Sequence, residues 1–518
     1  MKQSFMQGTL TLFVSGIVNR VLGFIPRILL PRFIGAEGVG LFQLTYPFLI
    51  LLLTVISGGL PTAIAKLVAE EEQLGNELEI KRIVRISFWC VCAISLVCAI
   101  VCVLCAQWMS VQLFRDERVY PAFIATVPML FIVGISSVLR GYYQGRHNMI
   151  PTAVSQLIET IVRLFAVIFM AKLFLPYGLA WAAAGAMLGV VLGEFGGLLY
   201  LIFYKWKTSR TIKYSQLPTD GTHFAQRSAT TASLRKLMKL ATPMTANKLV
   251  ASTSYFFESV LIIQSLALAG ISAQQGTAMY GILQGMIIPI LVLPNALTYS
   301  LSLALIPAIS QAYARQDLQQ IRLRLQQSLK LCVVSGIPFA VVMFVFAEPI
   351  CELMYHNTDI AYMLKWMAPV ALFLYVQGPL QATLQALDSS TAALRNTLIA
   401  AVVKLTLIYM LASSPQLGIT GALIAININI VLTALLHWLS VRKRTGLRAR
   451  ALQLPLLCLC AGLMTLLALT AEHIALGMQG IGHSLAAVAL ALSCYICFLF
   501  AFRIISISQL KKWIGRIG

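Results

Sequence analysis

The 518-residue chain is 59% hydrophobic, 11% charged and carries a net charge of +21, with a mean hydropathy of +0.84. A soluble globular domain carries about 25% charged residues, so this composition excludes one. The positive charge does not point to nucleic acid, because Lys and Arg gather in alternate connectors between apolar stretches, as they do in cytoplasmic loops.

A membrane-crossing helix takes about 20 apolar residues, and fourteen stretches qualify. The first two, 9–34 and 38–65, meet at Glu37 and lead into a basic connector with Lys66, Lys81, Arg82 and Arg85. Arg20 and Arg27 lie within the first, which has no small-residue cleavage site and reads as a retained span rather than a signal peptide. Stretches 86–108 and 120–143 meet at Arg115-Asp116-Glu117-Arg118 and are followed by Arg140 and Arg146. Next come 152–175 and 179–204, separated near Lys172, then the longest polar segment, 205–236, with Lys205, Lys207, Arg210, Lys213, Arg227, Arg235 and Lys236. Stretches 237–267 and 277–311 share an uncharged connector and lead to Arg315, Arg322 and Arg324. Stretches 328–347 and 361–386 flank Glu348, Glu352 and Asp359. After 391–411 and 419–440 stand Arg442, Lys443, Arg444, Arg448 and Arg450. The last pair, 452–471 and 484–506, flanks Glu472 and precedes a tail with Lys511, Lys512 and Arg516. The even count and the basic loops put both termini in the cytoplasm.

The chain repeats itself. Arg140 to Leu164 resembles Gln381 to Leu405, and Gly40-Leu-Phe-Gln43 resembles Gly281-Ile-Leu-Gln284, both at an offset of 241. Asn19-Arg20 matches Asn247-Lys248 at 228. The expected fold is an all-α polytopic membrane protein of about fourteen helices. Its parts are an N-terminal lobe 1–204, a basic cytoplasmic linker 205–236, a C-terminal lobe 237–440, and two additional helices with a basic tail, 441–518. Parallel repeats of this kind are a transporter architecture, with the substrate site between lobes.

Ionisable residues inside a span mark a site, a pair or a pathway. Arg20 and Arg27 are seven residues apart, almost two turns, so both can face one way about 10 Å apart. Guanidinium groups grip phosphate oxygens and stay charged, which suits an anionic head group such as a pyrophosphate. For Arg27 the alternative is snorkelling with Arg32 to the interface. Lys248, the repeat partner of Arg20, is a third candidate cation. Glu258 can pair with one of these cations, bind a coupling proton or cation, or be structural. Glu159 and Arg163 are spaced i,i+4 with Glu first, as in a structural ion pair. Glu194 has no assignable partner. Five cysteines between Cys90 and Cys105 read as small hydrophobes packing a helix. No zinc motif, phosphate loop or Ser-His-Asp arrangement occurs, so no enzyme, metal or cofactor is expected.

Four stretches carry a family resemblance. They are Leu22-Gly-Phe-Ile-Pro-Arg27 with Arg32-Phe-Ile-Gly35; Gly59-Leu-Pro61 through Lys66-Leu-Val-Ala-Glu70; Arg140-Gly-Tyr-Tyr-Gln-Gly145 with Pro151, Gln156, Glu159 and Arg163; and Tyr280-Gly281 through Ile306-Pro-Ala-Ile-Ser310. They resemble the multidrug/oligosaccharidyl-lipid/polysaccharide exporter superfamily over essentially the whole chain, and within it the stage V sporulation protein B branch of polysaccharide flippases. These are similar to the lipid II flippases, in which first-span arginines line a cationic cavity for a lipid-linked head group. Arg20 matches that motif. The next family arginine falls at Pro26, one residue from Arg27. The family's second-span acid and arginine fall near Gly40 and Thr54, and its Arg-x-x-Glu has no counterpart in 280–294.

The resemblance implies a multi-pass protein of the bacterial cell membrane, with the forespore outer membrane as a sporulation setting. It would flip undecaprenyl-pyrophosphate-linked peptidoglycan or polysaccharide precursors, with lipid-linked oligosaccharide, membrane lipids and cell-wall synthesis proteins as partners. The other expectations are a cation-coupled multidrug exporter of the same superfamily and a non-transporting scaffold for wall synthesis.

Overall fold

The computed structural model describes residues 5–211, 223–447, 453–473 and 481–502. Lys213, Arg448, Arg450, Lys511, Lys512 and Arg516 lie outside them. Among the described residues the chain is helical with no strand, and eleven helical stretches are long and apolar enough to cross a membrane. Three of the fourteen expected spans account for the difference. The first two run together, 361–386 is broken at 368–370, and the helix at 150–174, which holds Glu159 and Arg163, is not among the eleven.

Contacts divide the chain into two compact units, 1–286 with 413–418, and 287–412 with 419–518. The first holds α1 (Phe5–Ser57), α2 (Leu60–Gln73), α3 (Glu77–Trp108), α4 (Tyr120–Gly145), α5 (Ile150–Phe174), α6 (Leu179–Thr211), α7 (His223–Leu268) and α8 (Ala273–Gly281). A straight helix as long as α1 would be about 80 Å, far more than the roughly 30 Å of a hydrocarbon core. It breaks at Gly35 (φ 68°, ψ 179°), a conformation open essentially to glycine alone. This is the junction expected between the first two spans. The second ends earlier than expected, at Ser57, where Gly58-Gly59 turns the chain into α2 behind Pro61 at its first turn. Helices α6 and α7 also extend into the expected linker, to Thr211 and from His223.

Glycine spacing sets the tightest packing. On α6, Gly185, Gly189, Gly193 and Gly197 recur every fourth residue and form one stripe against α5. A β-carbon on them would meet Met170 O at 2.5 Å, Val167 Cα at 2.4 Å, Arg163 Cβ at 2.6 Å and Ser155 O at 3.0 Å. Small residues at this spacing let two membrane helices approach backbone to backbone. On α3, Cys98 and Cys102 are buried, and all eleven cysteines are free.

One polar turn fastens the helix ends on the Glu37 side of the unit. Arg118 pairs with Glu37 and forks onto Asp116, with Nε to Oδ1 at 2.9 Å and Nη2 to Oδ2 at 2.8 Å. Thr277 donates to Asp116 Oδ2 at 2.9 Å, and Gln274 donates to Glu37 at 3.1 Å. Burial pushes the Asp116 carboxyl up, but hydrogen bonds from Arg118 and Thr277 and the guanidinium charge outweigh it and hold it below the ordinary range.

The second unit contains α9 (Ile288–Val292), α10 (Asn295–Ala314), α11 (Leu318–Val345), α12 (Ala347–Tyr355), α13 (Ala361–Met367), α14 (Ala371–Ala386), α15 (Ser390–Ala412), α16 (Ile419–Thr445), α17 (Leu454–His473) and α18 (Ile481–Ala501). Helix α11 anchors it. Leu325 and Leu329 pack with Leu384 of α14 and Val441 of α16, while Ile337 and Val341 pack with Met464 of α17 and Ala491 of α18. The last helix is tied to α11 by the buried Tyr495, whose hydroxyl donates to Val334 O at 2.9 Å. Asn396 donates to Leu436 O at 3.0 Å and to Ser440 Oγ at 2.8 Å, joining α15 to α16.

Candidate functional site

All three candidate cations belong to the first unit. Arg20 and Arg27 are exposed on α1, which is apolar around them and carries Pro26 and Pro31. Exposed guanidinium groups on a membrane helix call for an anionic partner or an aqueous cavity. Lys248 is also exposed, and its Nζ donates to Gly58 O at 2.6 Å. It therefore caps a carbonyl at the C-terminal end of α1, where a cation is favoured by the helix dipole. Beside it, Gly59 N–H donates to Thr245 Oγ1 at 3.0 Å.

Glu258 on α7 is buried and accepts from Gln284 Nε2 at 3.2 Å. Arg163 Nη1 lies 3.3 Å from Glu159 Oε1, and Arg140 of α4 adds a second contact, Nη2 to Glu159 Oε2 at 2.8 Å. Glu194, left without a partner in the sequence, is buried on α6, and its Oε2 has no hydrogen-bond partner among the described residues.

Tyr46 and Tyr255 lie within electrostatic range of Arg27. Of the candidates, Glu159 and Arg163 are joined directly, with Arg140 as a further partner that the sequence reading placed in a connector. Glu258 pairs with Gln284, and Lys248 is fastened at the Gly58 turn. Chemically, the exposed guanidinium groups of Arg20 and Arg27 can hold an anion.

Residues 5–313 match the family described as Polysaccharide biosynthesis protein, and residues 250–410 match MatE. The chain is 39% identical to Stage V sporulation protein B of Bacillus subtilis (strain 168), over all of this chain and 99% of that protein. It is 24% identical to Lipid II flippase MurJ of the same organism, over 86% of this chain and 84% of the relative. Among solved structures it is similar to "Lipid II flippase MurJ, inward closed conformation", with a TM-score of 0.70 at 16% identity over 95% of this chain and 98% of the other. Helical fold and full-length similarity agree: the chain belongs to the stage V sporulation protein B-like branch of the polysaccharide biosynthesis family, within the multidrug/oligosaccharidyl-lipid/polysaccharide exporter superfamily.

Proposed function

We propose that the chain is a flippase that carries undecaprenyl-pyrophosphate-linked cell-wall precursors from the cytoplasmic to the outer leaflet by alternating access, with peptidoglycan of the spore cortex as one destination. The observation that carries this reading is the pair of exposed arginines, Arg20 and Arg27, on one apolar helix. Two permanent cations about 10 Å apart match a pyrophosphate head group better than a hydrophobic drug. The relative named Lipid II flippase MurJ supports a lipid-linked cargo. The basic loops support cytoplasmic termini.

In this mechanism Arg20 and Arg27 hold the pyrophosphate while the polyprenyl tail stays in lipid. Lys248 joins them only when its bond to Gly58 opens. Returning an empty cationic site toward a negative interior is favoured by about 2.3 kcal/mol per charge per 100 mV, which can reset the carrier.

A cation-coupled multidrug exporter is the second reading, favoured by the MatE match over 250–410. The test is lipid II exposed on the outer face of cells stripped of their own lipid II flippases. The parent chain restores exposure, whereas Arg20→Ala, present in the membrane at equal level, lowers it at least tenfold. Full activity in Arg20→Ala sinks the mechanism. Drug resistance without lipid II exposure moves the assignment to the second reading.

A further inference from the structure

We propose that the chain binds the phosphate of an amphiphilic lipid in a cavity built around Arg115, at the Glu37 end of the first unit, a cavity that Arg20 and Arg27 do not line. It has a volume of about 320 Å3 and lies between the connector after α3 and the turn from α7 into α8. The lining is two-sided. Leu266, Ala267 and Ile271 form an apolar wall, and Arg115 faces it together with Ser272 and Ala273 at the start of α8. Among the described residues no carboxylate lines the cavity.

The local structure holds Arg115 in this place. Its backbone is left-handed, φ 52°, a conformation unfavourable for a residue with a β-carbon. The turn does not itself call for arginine, because at the repeat offset of 241 the same conformation is taken by His356, φ 53°. What fixes the side chain is Gln264 of α7. Its Oε1 accepts from Arg115 Nε at 2.9 Å, while its Nε2 donates to Gln112 O at 2.6 Å and to Leu113 O at 2.8 Å. Two carbonyls can only accept, so the Gln264 amide must turn its nitrogen to them and its oxygen to the guanidinium. Among the described residues this is the one side-chain bond of Arg115, and both Nη groups remain for a ligand. Asp116, the carboxylate next in the chain, is already taken by Arg118 and Thr277.

The chemistry of the walls selects the occupant. The two Nη groups of a guanidinium match two oxygens of a phosphate, and the charge is permanent. The first turn of α8 lies on the same side, and the positive end of a helix favours an anion there. Opposite, the apolar wall suits the carbon chain that follows a lipid phosphate and offers nothing to a free ion. A cavity near the lower end of the usual ligand range takes a head group rather than a whole lipid. It stands where apolar spans end, which is the depth at which lipid phosphates lie. Arg115 comes from the first copy of the internal repeat and the apolar wall from the start of the second, so an occupant fastens the two together. None of this rests on the flippase reading.

The experiment is native mass spectrometry of the purified full chain in detergent, titrated with dioctanoyl phosphatidylglycerol, with dioctanoylglycerol and inorganic phosphate as competitors. The parent holds one phosphatidylglycerol more tightly than any further ones, and neither competitor displaces it. Arg115→Gln weakens that lipid at least about tenfold, the loss expected of one charged hydrogen-bonding group. Ala267→Phe fills the cavity, leaves Arg115 in place and weakens the lipid likewise, whereas Arg20→Ala does not. Farnesyl pyrophosphate is the further probe: displacement of the phosphatidylglycerol keeps the site and makes an isoprenoid carrier its occupant, and no displacement keeps it for a phospholipid. Equal affinity in the parent and Arg115→Gln overturns the proposal. So does displacement by inorganic phosphate, or a loss confined to Arg20→Ala. A parent that binds phosphatidylglycerol in the expected pattern but exposes no lipid II keeps this site and loses the cargo reading.

Discussion

Gly40 and Gly281, corresponding positions in the internal repeat, pack backbone against backbone. A β-carbon at Gly281 would lie 2.5 Å from Gly40 N and 2.2 Å from Ala36 O, and one at Gly40 would lie 2.0 Å from Thr277 O. These neighbours are backbone atoms, so no rotamer change relieves the overlap. Helices α1 and α8 can be this close only because both repeats kept the smallest residue there.

Gly281→Ala should therefore cost more than a usual glycine-to-alanine change. Overpacking costs about 1–3 kcal/mol, and the shift must be taken up by helix backbone. The expected outcome is a lower thermal midpoint in detergent and less protein in the membrane, with Gly40→Ala matching it. Wild-type midpoints for both would mean that α1 and α8 do not meet as described.

The stripe on α6 makes a graded prediction. Gly189→Ala places a methyl 2.4 Å from Val167 Cα, whereas Gly462→Ala on α17 meets nothing within 4 Å. In a helix, alanine is preferred to glycine by about 1 kcal/mol. Gly462→Ala should be neutral or stabilising, and Gly189→Ala destabilising. Thermal unfolding of the two side by side checks the sign of each, and a stabilised Gly189→Ala would refute the close approach of α5 to α6.

How much of this could be read in advance depends on where each partner sits. The break at Gly35 and the i,i+4 spacing of Glu159 and Arg163 are local, and local spacing is what a sequence displays. Arg140 lies 19 residues from Glu159 and on another helix, so its contact depends on how α4 and α5 are rotated. Spacing along one helix does not say which neighbour its polar positions meet. Tyr46 and Tyr255 were obscured for the same reason. Glu194 could have been placed, because the α6 glycines mark which face meets a neighbour. Lys248 shows the opposite failure. The repeat paired it with Arg20, but the glycine turn at 58–59 supplied a nearer acceptor.

Asp116 predicts a pH effect. Its folded carboxyl is held below the ordinary value of 3.8, so its contribution to stability is complete above that value. It is lost as pH falls toward the folded value, when the proton displaces Arg118 and Thr277. Asp116→Asn removes the dependence along with the contribution. At neutral pH the variant should melt lower than the parent, and the gap should close as pH falls below about 4. Melting curves of both chains over that range decide it; a gap that stays constant with pH would mean the Asp116 charge is not what fastens the turn.

The turn at Gly58-Gly59 separates the two roles open to Lys248. In this conformation α7 holds it by two bonds, Lys248 Nζ to Gly58 O and Gly59 N–H to Thr245 Oγ1. Thr245→Val keeps the shape and removes the acceptor, leaving a part-buried N–H unpaired at a cost of about 1–3 kcal/mol. Hydrogen exchange at the Gly59 amide should then quicken by about tenfold or more. Lys248→Met should quicken exchange around the same turn, because the carbonyl loses its cap. If Lys248 also grips an anionic head group, Lys248→Met weakens cargo binding while Thr245→Val leaves it intact. If both variants loosen the turn and neither changes binding, Lys248 is a fastener of α1 and α7, and the anion site reduces to Arg20 and Arg27. Unchanged exchange in both variants would show that α7 does not dock on this turn in solution.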